Sequence, residues 1–256
     1  TGDTDVTPYG GGTWASRGAG VGGEAVLLAA QALQENILKL AGAILNRPVD
    51  GLIARRGYIL DKATGEQLLP FSEVGRVGYF RTDTLPAGFS ADLMVTRHYT
   101  QKEYPFIFTN GVQASYVEVD PDTGFVKLLK HWAVEDCGRV LNPMLVDEQV
   151  RGAIVQGIGG VLFEECLYDD SGLLRNGSMA DYLVPMANEM PDIEVAHVET
   201  PTQSSKLGAK GAGEAGTAGA PGAVQNAIND ALAPFNTAVF DQPITCEKIL
   251  KALGKV

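Results

Sequence analysis

The amino-acid sequence predicts an α+β fold, in which helices are mixed with antiparallel strands. The first observation is that apolar residues recur at helical spacing over Ala25–Leu45. The second is a pair of apolar strands, Phe106–Val119 and Phe125–Val134, joined by the sequence DPDTG, which is typical of a hairpin turn. The third is Asn142-Pro143, where a capping residue before a proline indicates the start of a helix.

The other elements are predicted in chain order. Residues 46–100 contain short strands and one helix near Phe71–Val77, and the helix that starts at Asn142-Pro143 runs to about residue 163. Short strands are predicted at Leu183–Pro185 and Asp192–Val198, and the last long helix at Pro221–Leu232. No internal repeat or low-complexity linker divides the chain, so it forms one large domain or two small ones.

Composition excludes several classes of protein. The 256 residues are 45% hydrophobic and 20% charged, as in ordinary soluble proteins. No apolar run approaches the roughly 18 residues that a membrane span requires. The net charge of -11 argues against nucleic acid or an anionic membrane as a partner, because a binding face would have to overcome that field.

Cysteine usage favours a reducing compartment, and we expect a cytoplasmic protein. Cys137, Cys166 and Cys246 are odd in number, far apart and without a CxxC pattern, which excludes a disulfide framework or an iron–sulfur or zinc site encoded by cysteines of this chain. The three histidines are also scattered and are expected to pack or to face solvent. No N-terminal signal peptide is visible.

Glycine is the residue type that departs most from average composition. There are 31 glycines in 256 residues, and residues 10–23, 152–160 and 208–222 contain seven, four and six of them. An average protein has about 7% glycine. Three separate clusters indicate either three loops that converge on one ligand or three tight turns packed against helices.

One carboxylate, Glu214, lies in the third cluster, within the sequence GAKGAGEAG. Small residues provide few groups to solvate its charge and let backbone amides approach a ligand, a setting that suits a general base. An exposed acid in a flexible loop is the alternative. Gly211, Gly213 and Gly216 also spell GxGxxG, but the preceding sequence PTQSSKL is polar and contains proline, so a dinucleotide site is not expected.

Four segments together resemble a known family. TPYGGGTWASR, DCGRVLNP, QGIGGVLFEE and GAKGAGEAGTAGAP are similar, in order and approximate spacing, to the C-terminal part of the molybdenum-binding subunit of the xanthine dehydrogenase family, the molybdenum hydroxylases. The resemblance covers residue 1 to about residue 232. It implies a molybdenum–molybdopterin cofactor in the cytosine dinucleotide form, and hydroxylation of an aldehyde or N-heterocycle carbon with oxygen from water. Residues 1–256 would form the C-terminal cofactor-binding region, built as two interleaved α+β subdomains.

The same resemblance implies roles for individual residues. Glu214 corresponds to the family's base, which removes a proton from water at the molybdenum, and Ala15 would lie close to the metal. Ser16 and Arg17 would bind phosphate, and Gln156 would hydrogen-bond the pterin. The complete set of cofactor-binding residues implied is Gly12, Thr13, Trp14, Ala15, Ser16, Arg17, Gln156, Lys210, Gly211 and Gly213.

The sequence contains no counterpart of the family's earlier segments, which supply a glutamine near the apical oxo ligand and a substrate-lining loop. We therefore expect the N-terminal part of the molybdenum subunit as a partner, either as a separate chain or as a missing segment. Iron–sulfur and flavin (FAD) subunits would remove electrons from the small-molecule substrate. The alternatives are a non-catalytic molybdopterin-binding or structural subunit and, more remotely, a hydrolase that uses Thr1 as nucleophile.

Overall fold

A computed structural model describes residues 3–5, 12–101 and 107–256. The chain divides into two compact units, one of residues 1–20 and 102–256 and the other of residues 21–101. Helices, antiparallel strands and one parallel strand pair make up the two units, which confirms the α+β class. Thr1, the nucleophile of the alternative hydrolase, and Phe106, the predicted first residue of a strand, lie outside the described residues.

The unit of residues 21–101 is a small helix–sheet assembly. Helix α1 (Glu24–Leu45) confirms the first predicted helix, and a π-helical turn over residues 18–23 runs into it. Strands β1 (Leu52–Arg55), β2 (Tyr58–Asp61) and β3 (Gln67–Pro70) form an antiparallel sheet in chain order. Helix α2 (Phe71–Phe80) follows β3 and is three residues longer than predicted. Leu40, Ile59 and Val74 are fully buried at the centre of this unit.

The other unit is built on a three-stranded sheet. Strand β4 (Asn110–Val119) pairs antiparallel with β5 (Val126–Asp136), which confirms the predicted hairpin. Strand β6 (Ile193–His197) pairs parallel with β5 and makes the strand order β4-β5-β6. The inward-facing residues of β4 face helix α4, which is described next.

Among the described residues of this unit, the α-helices are α3 (Pro143–Leu162), α4 (Ala215–Leu232) and α5 (Cys246–Ala252). Helices α3 and α4 approach each other closely, since a Cβ atom at Gly216 would lie 2.5 Å from the backbone oxygen of Val150. Part of the second and third glycine clusters therefore serves helix packing. The buried core lies around these helices and includes Val150, Ile154, Ile158, Val224, Ile228 and Ile249.

Two predictions of secondary structure need correction, and one helix has no counterpart among the predictions. Residues 183–185 form no strand, because Leu183 is 60% exposed without a neighbouring strand and Pro185 has no N–H to offer one. Helix α4 begins at Ala215 rather than at Pro221, and its N-cap residue Glu214 makes no side-chain capping hydrogen bond that would mark this start in the sequence. The seven-residue helix α5 was missed. No helix among the described residues is both long and apolar enough to cross a membrane.

Candidate active site

A cavity of about 550 Å³ lies in the unit of residues 1–20 and 102–256. The loop around residues 15–16, the start of β4, the end of β5 and the start of α4 all contribute to its wall. The cavity brings together four of the residues predicted from sequence: Ala15, Ser16, Gly211 and Glu214. A larger cavity of about 1100 Å³ between residues 124–129 and 243–247 is lined by none of the predicted residues, so we place the candidate site in the smaller one.

Ser16 and Glu214 contact each other directly although 198 positions separate them. The Ser16 hydroxyl donates to Oε2 of Glu214 at 2.8 Å and accepts the backbone N–H of the same residue at 2.9 Å. Ala15 and Ser16 have φ angles of 54° and 52°, in the left-handed region that ordinary residues rarely adopt. Such strain costs about 1–3 kcal/mol per residue and is concentrated at functional sites. The bend turns the Ser16 hydroxyl toward Glu214.

The GAKGAGE loop approaches Ser16 so closely that it requires glycine. A Cβ atom at Gly211 would lie 2.8 Å from Cβ of Ser16, and one at Gly213 would lie 3.2 Å from its Oγ. Glu214 itself is the residue before the first turn of α4 and is exposed, in contrast to the low solvation expected from its neighbours. Oε1 of Glu214 has no hydrogen-bond partner within the part of the chain that the structure describes, so it can accept a hydrogen bond from a ligand.

Lys210 anchors the same loop to the sheet. Its Nζ donates to Oδ2 of Asp136 at 2.9 Å and to Oγ1 of Thr200 at 2.6 Å, and only 12% of each charged side chain is exposed. Burial alone would raise the pKa of Asp136. Hydrogen bonds from the Thr200 hydroxyl, from Lys210 and from the N–H groups of Gly138 and Thr200 outweigh that effect and hold the pKa well below its ordinary value.

Two of the sequence motifs meet at this anchor. The N–H of Lys210 donates to the carbonyl of Cys137 at 2.7 Å, and the N–H of Arg139 donates to Gly208 at 2.9 Å. Gly138 has a φ of 70°, and a Cβ atom there would lie 2.4 Å from the carbonyl oxygen of Gly208. The ammonium of Lys210 is thus committed to the loop's own structure, and its contact with a cofactor stays a prediction.

Arg17 is held by contacts within its own segment, residues 12–17. Its guanidinium lies 4.4 Å from the centroid of the Trp14 ring, and Nη2 donates to the carbonyl of Gly12 at 2.9 Å. These contacts set the shape of the 12–17 segment, in which Gly12, Thr13 and Trp14 are exposed. Gln156 is exposed on α3 and is not among the residues that line the cavity, so its role also stays a prediction.

Sequence reasoning missed a polar group on the strand side of the cavity. Gln113 and Glu135 line the cavity, and behind them lie His131 and Ser115. Burial raises the pKa of Glu135 and lowers the pKa of His131 to about 4. The sequence of β4 contains a signal that could have identified this group. Its inward-facing positions are Gln113, Ser115, Val117 and Val119. The first two are polar, and polar side chains at inward positions need hydrogen-bond partners inside the protein.

The residues around the cavity fit the reactive end of a large organic cofactor. Ala15, Gly111, Gly211, Ala215 and Gly219 leave one side of the cavity free of bulky side chains. A volume of about 550 Å³ lies within the roughly 300–1,000 Å³ usual for small-molecule sites. The start of α4 also lies at the cavity, and a helix N-terminus favours anionic groups. Hydroxyl, carboxylate and backbone N–H groups suit hydrogen bonding to such a cofactor.

Comparison with known proteins gives a consistent result. Residues 1–191 match the family described as the molybdopterin cofactor-binding domain. The chain is 38% identical over 244 residues to the nicotine 6-hydroxylase large subunit of Paenarthrobacter nicotinovorans. This alignment covers 95% of this chain and 30% of that protein. It is 29% identical over 252 residues to the carbon monoxide dehydrogenase large chain of Hydrogenophaga pseudoflava, and that alignment covers 98% of this chain and 31% of that protein.

Similarity extends to three-dimensional structure. The crystal structure of quinoline 2-oxidoreductase from Pseudomonas putida 86 aligns with a TM-score of 0.84 at 38% identity, over 96% of this chain and 31% of that chain. The chain spans 30–31% of the length of these three proteins. It therefore belongs to the molybdopterin cofactor-binding domain family and corresponds to part of the molybdenum-binding subunit of the xanthine dehydrogenase family.

Proposed function

We propose that this chain carries the catalytic base of a molybdenum hydroxylase, Glu214, and holds the reactive end of the molybdopterin cofactor in the cavity beside it. The observation that carries the proposal is the contact between Ser16 and Glu214 at the cavity wall. A non-catalytic subunit would have no use for a carboxylate held in this way with one oxygen left open.

When bound, the cofactor supplies a two-electron oxidant and a Lewis acid for water. The overall change is R–H + H₂O → R–OH + 2 H⁺ + 2 e⁻. Glu214 accepts a proton from water at Oε1, while the Ser16 hydroxyl fixes Oε2 and thereby the plane of the carboxylate. A positioned base typically contributes about 10²–10⁴-fold to the rate.

The cofactor would be held by the loop of residues 12–17 and by the glycines before Glu214. Arg17 offers a bidentate fork to phosphate, and Ser16 and Gly211 of these two loops line the cavity. Gln156 offers both a donor and an acceptor to the edge of a pterin. The cytosine dinucleotide form of the cofactor remains part of this proposal.

An N-heterocycle is the substrate class that we propose. The two proteins at 38% identity are named for nicotine and quinoline, both nitrogen heteroaromatics, whereas the carbon monoxide dehydrogenase is 29% identical. Aldehydes are the second candidate. Assay of the purified holoenzyme with quinoline, nicotine, benzaldehyde and carbon monoxide would distinguish these classes, and we expect turnover with a heteroaromatic ring.

Electrons would leave through partner subunits. One relative is named as subunit gamma of a dehydrogenase complex, and others are named large subunits or large chains. We propose that the remaining part of the molybdenum subunit, an iron–sulfur subunit and an FAD subunit complete the enzyme, in the cytoplasm.

The test of the proposed function is Glu214→Gln in the holoenzyme. We expect the molybdenum content to stay unchanged and turnover per molybdenum to fall by at least roughly 10², the usual loss when a general base is removed. Glu118→Gln is the matched control, since Glu118 is an exposed carboxylate on β4 outside the cavity lining. Turnover of Glu214→Gln within a few-fold of the parent would remove Glu214 from this role.

A further inference from the structure

The side chain of Gln113 connects strand β4 to the first turn of helix α4. Its Nε2 donates to the carbonyl of Gly216 at 3.0 Å and, at 3.4 Å, to that of Ala215. The same nitrogen donates to Oε1 of Glu135 at 3.0 Å. Ala215 and Gly216 are the two residues that follow Glu214, so this contact is made within two residues of the proposed base.

The orientation of the Gln113 amide follows from its partners. Carbonyl oxygens only accept hydrogen bonds, so the nitrogen of the amide must face Ala215 and Gly216. Its Oε1 then accepts from Nε2 of His131 at 3.1 Å, and Nδ1 of His131 accepts the Ser115 hydroxyl at 2.9 Å. The fully buried position of His131 favours its neutral form. A neutral imidazole has one donor and one acceptor, which match the bonds to Gln113 and Ser115.

Helix α4 is shaped to allow this contact. A Cβ atom at Gly219 would lie 2.8 Å from both Cδ and Nε2 of Gln113. Glycine inside a helix costs about 0.5–1 kcal/mol relative to alanine. Gly219 therefore gives up helix stability at a position where any larger residue would collide with the amide of Gln113.

We propose that Gln113, oriented by His131 and Ser115, is a positioning residue for Glu214: it fixes the first turn of α4 against β4 and so holds the carboxylate at the cavity. Both polar atoms of its amide are already hydrogen-bonded within the protein, so Gln113 acts through the helix rather than on substrate. This inference rests on the proposed role of Glu214 as the base.

The expected effect is large because catalysis depends on geometry. A displacement of about 1 Å at a reacting group can cost roughly 10²-fold in rate. Gln113→Met keeps the length of the side chain and removes its hydrogen bonds. We expect kcat to fall roughly 10-fold to 100-fold at unchanged molybdenum content, with KM changed much less.

Gly219→Ala is the second variant. The added methyl group would push the Gln113 amide away from the helix, whereas alanine favours the helix itself. We expect turnover to fall while the urea midpoint of unfolding stays equal or rises.

Gln225→Met is the matched control for Gln113→Met, since Gln225 lies farther along α4 and bonds only Gln242 among the described residues.

The decisive measurement combines each variant with Glu214→Gln in the holoenzyme. If Gln113 acts through Glu214, Gln113→Met lowers turnover in the parent but causes no further loss in the Glu214→Gln background. Hydrogen exchange at residues 215–220 should also become faster in Gln113→Met, with or without cofactor, and not in Gln225→Met.

Two results would overturn the inference while leaving the proposed function intact. One is full turnover of Gln113→Met alongside an inactive Glu214→Gln. The other is an equal loss from Gln113→Met in both backgrounds, which would show that Gln113 acts independently of Glu214. Full turnover of Glu214→Gln would instead overturn the proposed function, and the positioning inference with it.

Discussion

At the scale of single residues, the Ser16 hydroxyl is the group that holds the Glu214 carboxylate. It is both donor and acceptor toward Glu214, and it is held at a backbone φ of 52°. A hydrogen bond to a charged group contributes about 1.5–3 kcal/mol. This backbone conformation presents the hydroxyl to the carboxylate.

We predict that Ser16→Ala and Ser16→Gly both lower turnover per molybdenum by about 10-fold or more, since 1.4 kcal/mol corresponds to a factor of ten. Glycine adopts positive φ freely, so Ser16→Gly removes the hydroxyl and relieves the strain, whereas Ser16→Ala removes the hydroxyl alone. Steady-state assays normalised to molybdenum check this. Recovery of activity in Ser16→Gly alone would mean that backbone strain, not the hydroxyl, matters.

Arg17 is expected to act on retention of the cofactor rather than on the reaction. Its guanidinium is already oriented by Trp14 and the Gly12 carbonyl, and a phosphate contact positions a ligand without responding to charge in the transition state. We predict that Arg17→Ala lowers molybdenum per protein and leaves the rate per molybdenum nearly unchanged. Metal analysis beside turnover measures both. Full occupancy with a collapsed rate per molybdenum would contradict this role.

At the scale of elements, the loop before α4 is fixed by the buried pair of Lys210 and Asp136. Hydrogen bonds keep the pKa of Asp136 below its unfolded value of about 3.9. This pair therefore contributes its full stability above about pH 4, and the contribution is lost as the pH falls from there toward the folded pKa. Removal of one partner of a buried pair typically costs about 3–5 kcal/mol.

We predict that Lys210→Met lowers the free energy of unfolding by about 3 kcal/mol at neutral pH. The acid-induced loss of stability below about pH 4 should also be smaller in Lys210→Met than in the parent, because the pKa of Asp136 is depressed less when only the hydrogen bonds from Thr200 and Gly138 remain. Urea titrations between pH 3 and 7 test both statements. Lys248→Met is a suitable control, since Lys248 pairs with Asp241, which is 83% exposed. An equal effect of the two variants would be evidence against the anchor.

The elements also show what sequence could and could not predict. The β4–β5 hairpin and the start of α3 depend on local signals, the DPDTG turn and the Asn142 cap whose side chain accepts the N–H of Leu145, and both were predicted. The start of α4 was wrong because its first turn lacks a side-chain cap. The hydrogen bonds from Gln113 on β4 to this turn join residues that are 102 and 103 positions apart in the sequence, so no local sequence pattern could predict them.

At the scale of the whole molecule, the candidate site is made of distant segments of one compact unit. Family resemblance named Ser16 and Glu214 separately, and folding brings them to a 2.8 Å contact. The resemblance could not name Gln113, His131 or Glu135, because their importance comes from burial beside α4 rather than from a motif. The net charge of -11 describes the entire chain and bears on its partners rather than on this site.

The proposed function requires Glu214 to act in the chemical step. This role is tested by rapid mixing of oxidised holoenzyme with excess quinoline without an external electron acceptor, where the initial rate of reduction reports the first chemical step at the molybdenum centre. We predict that Glu214→Gln slows this reduction by at least roughly 10², while reduction by dithionite, which needs no base, keeps its parental rate. Equal rates of reduction by quinoline in Glu214→Gln and the parent would contradict the role of Glu214 as the base.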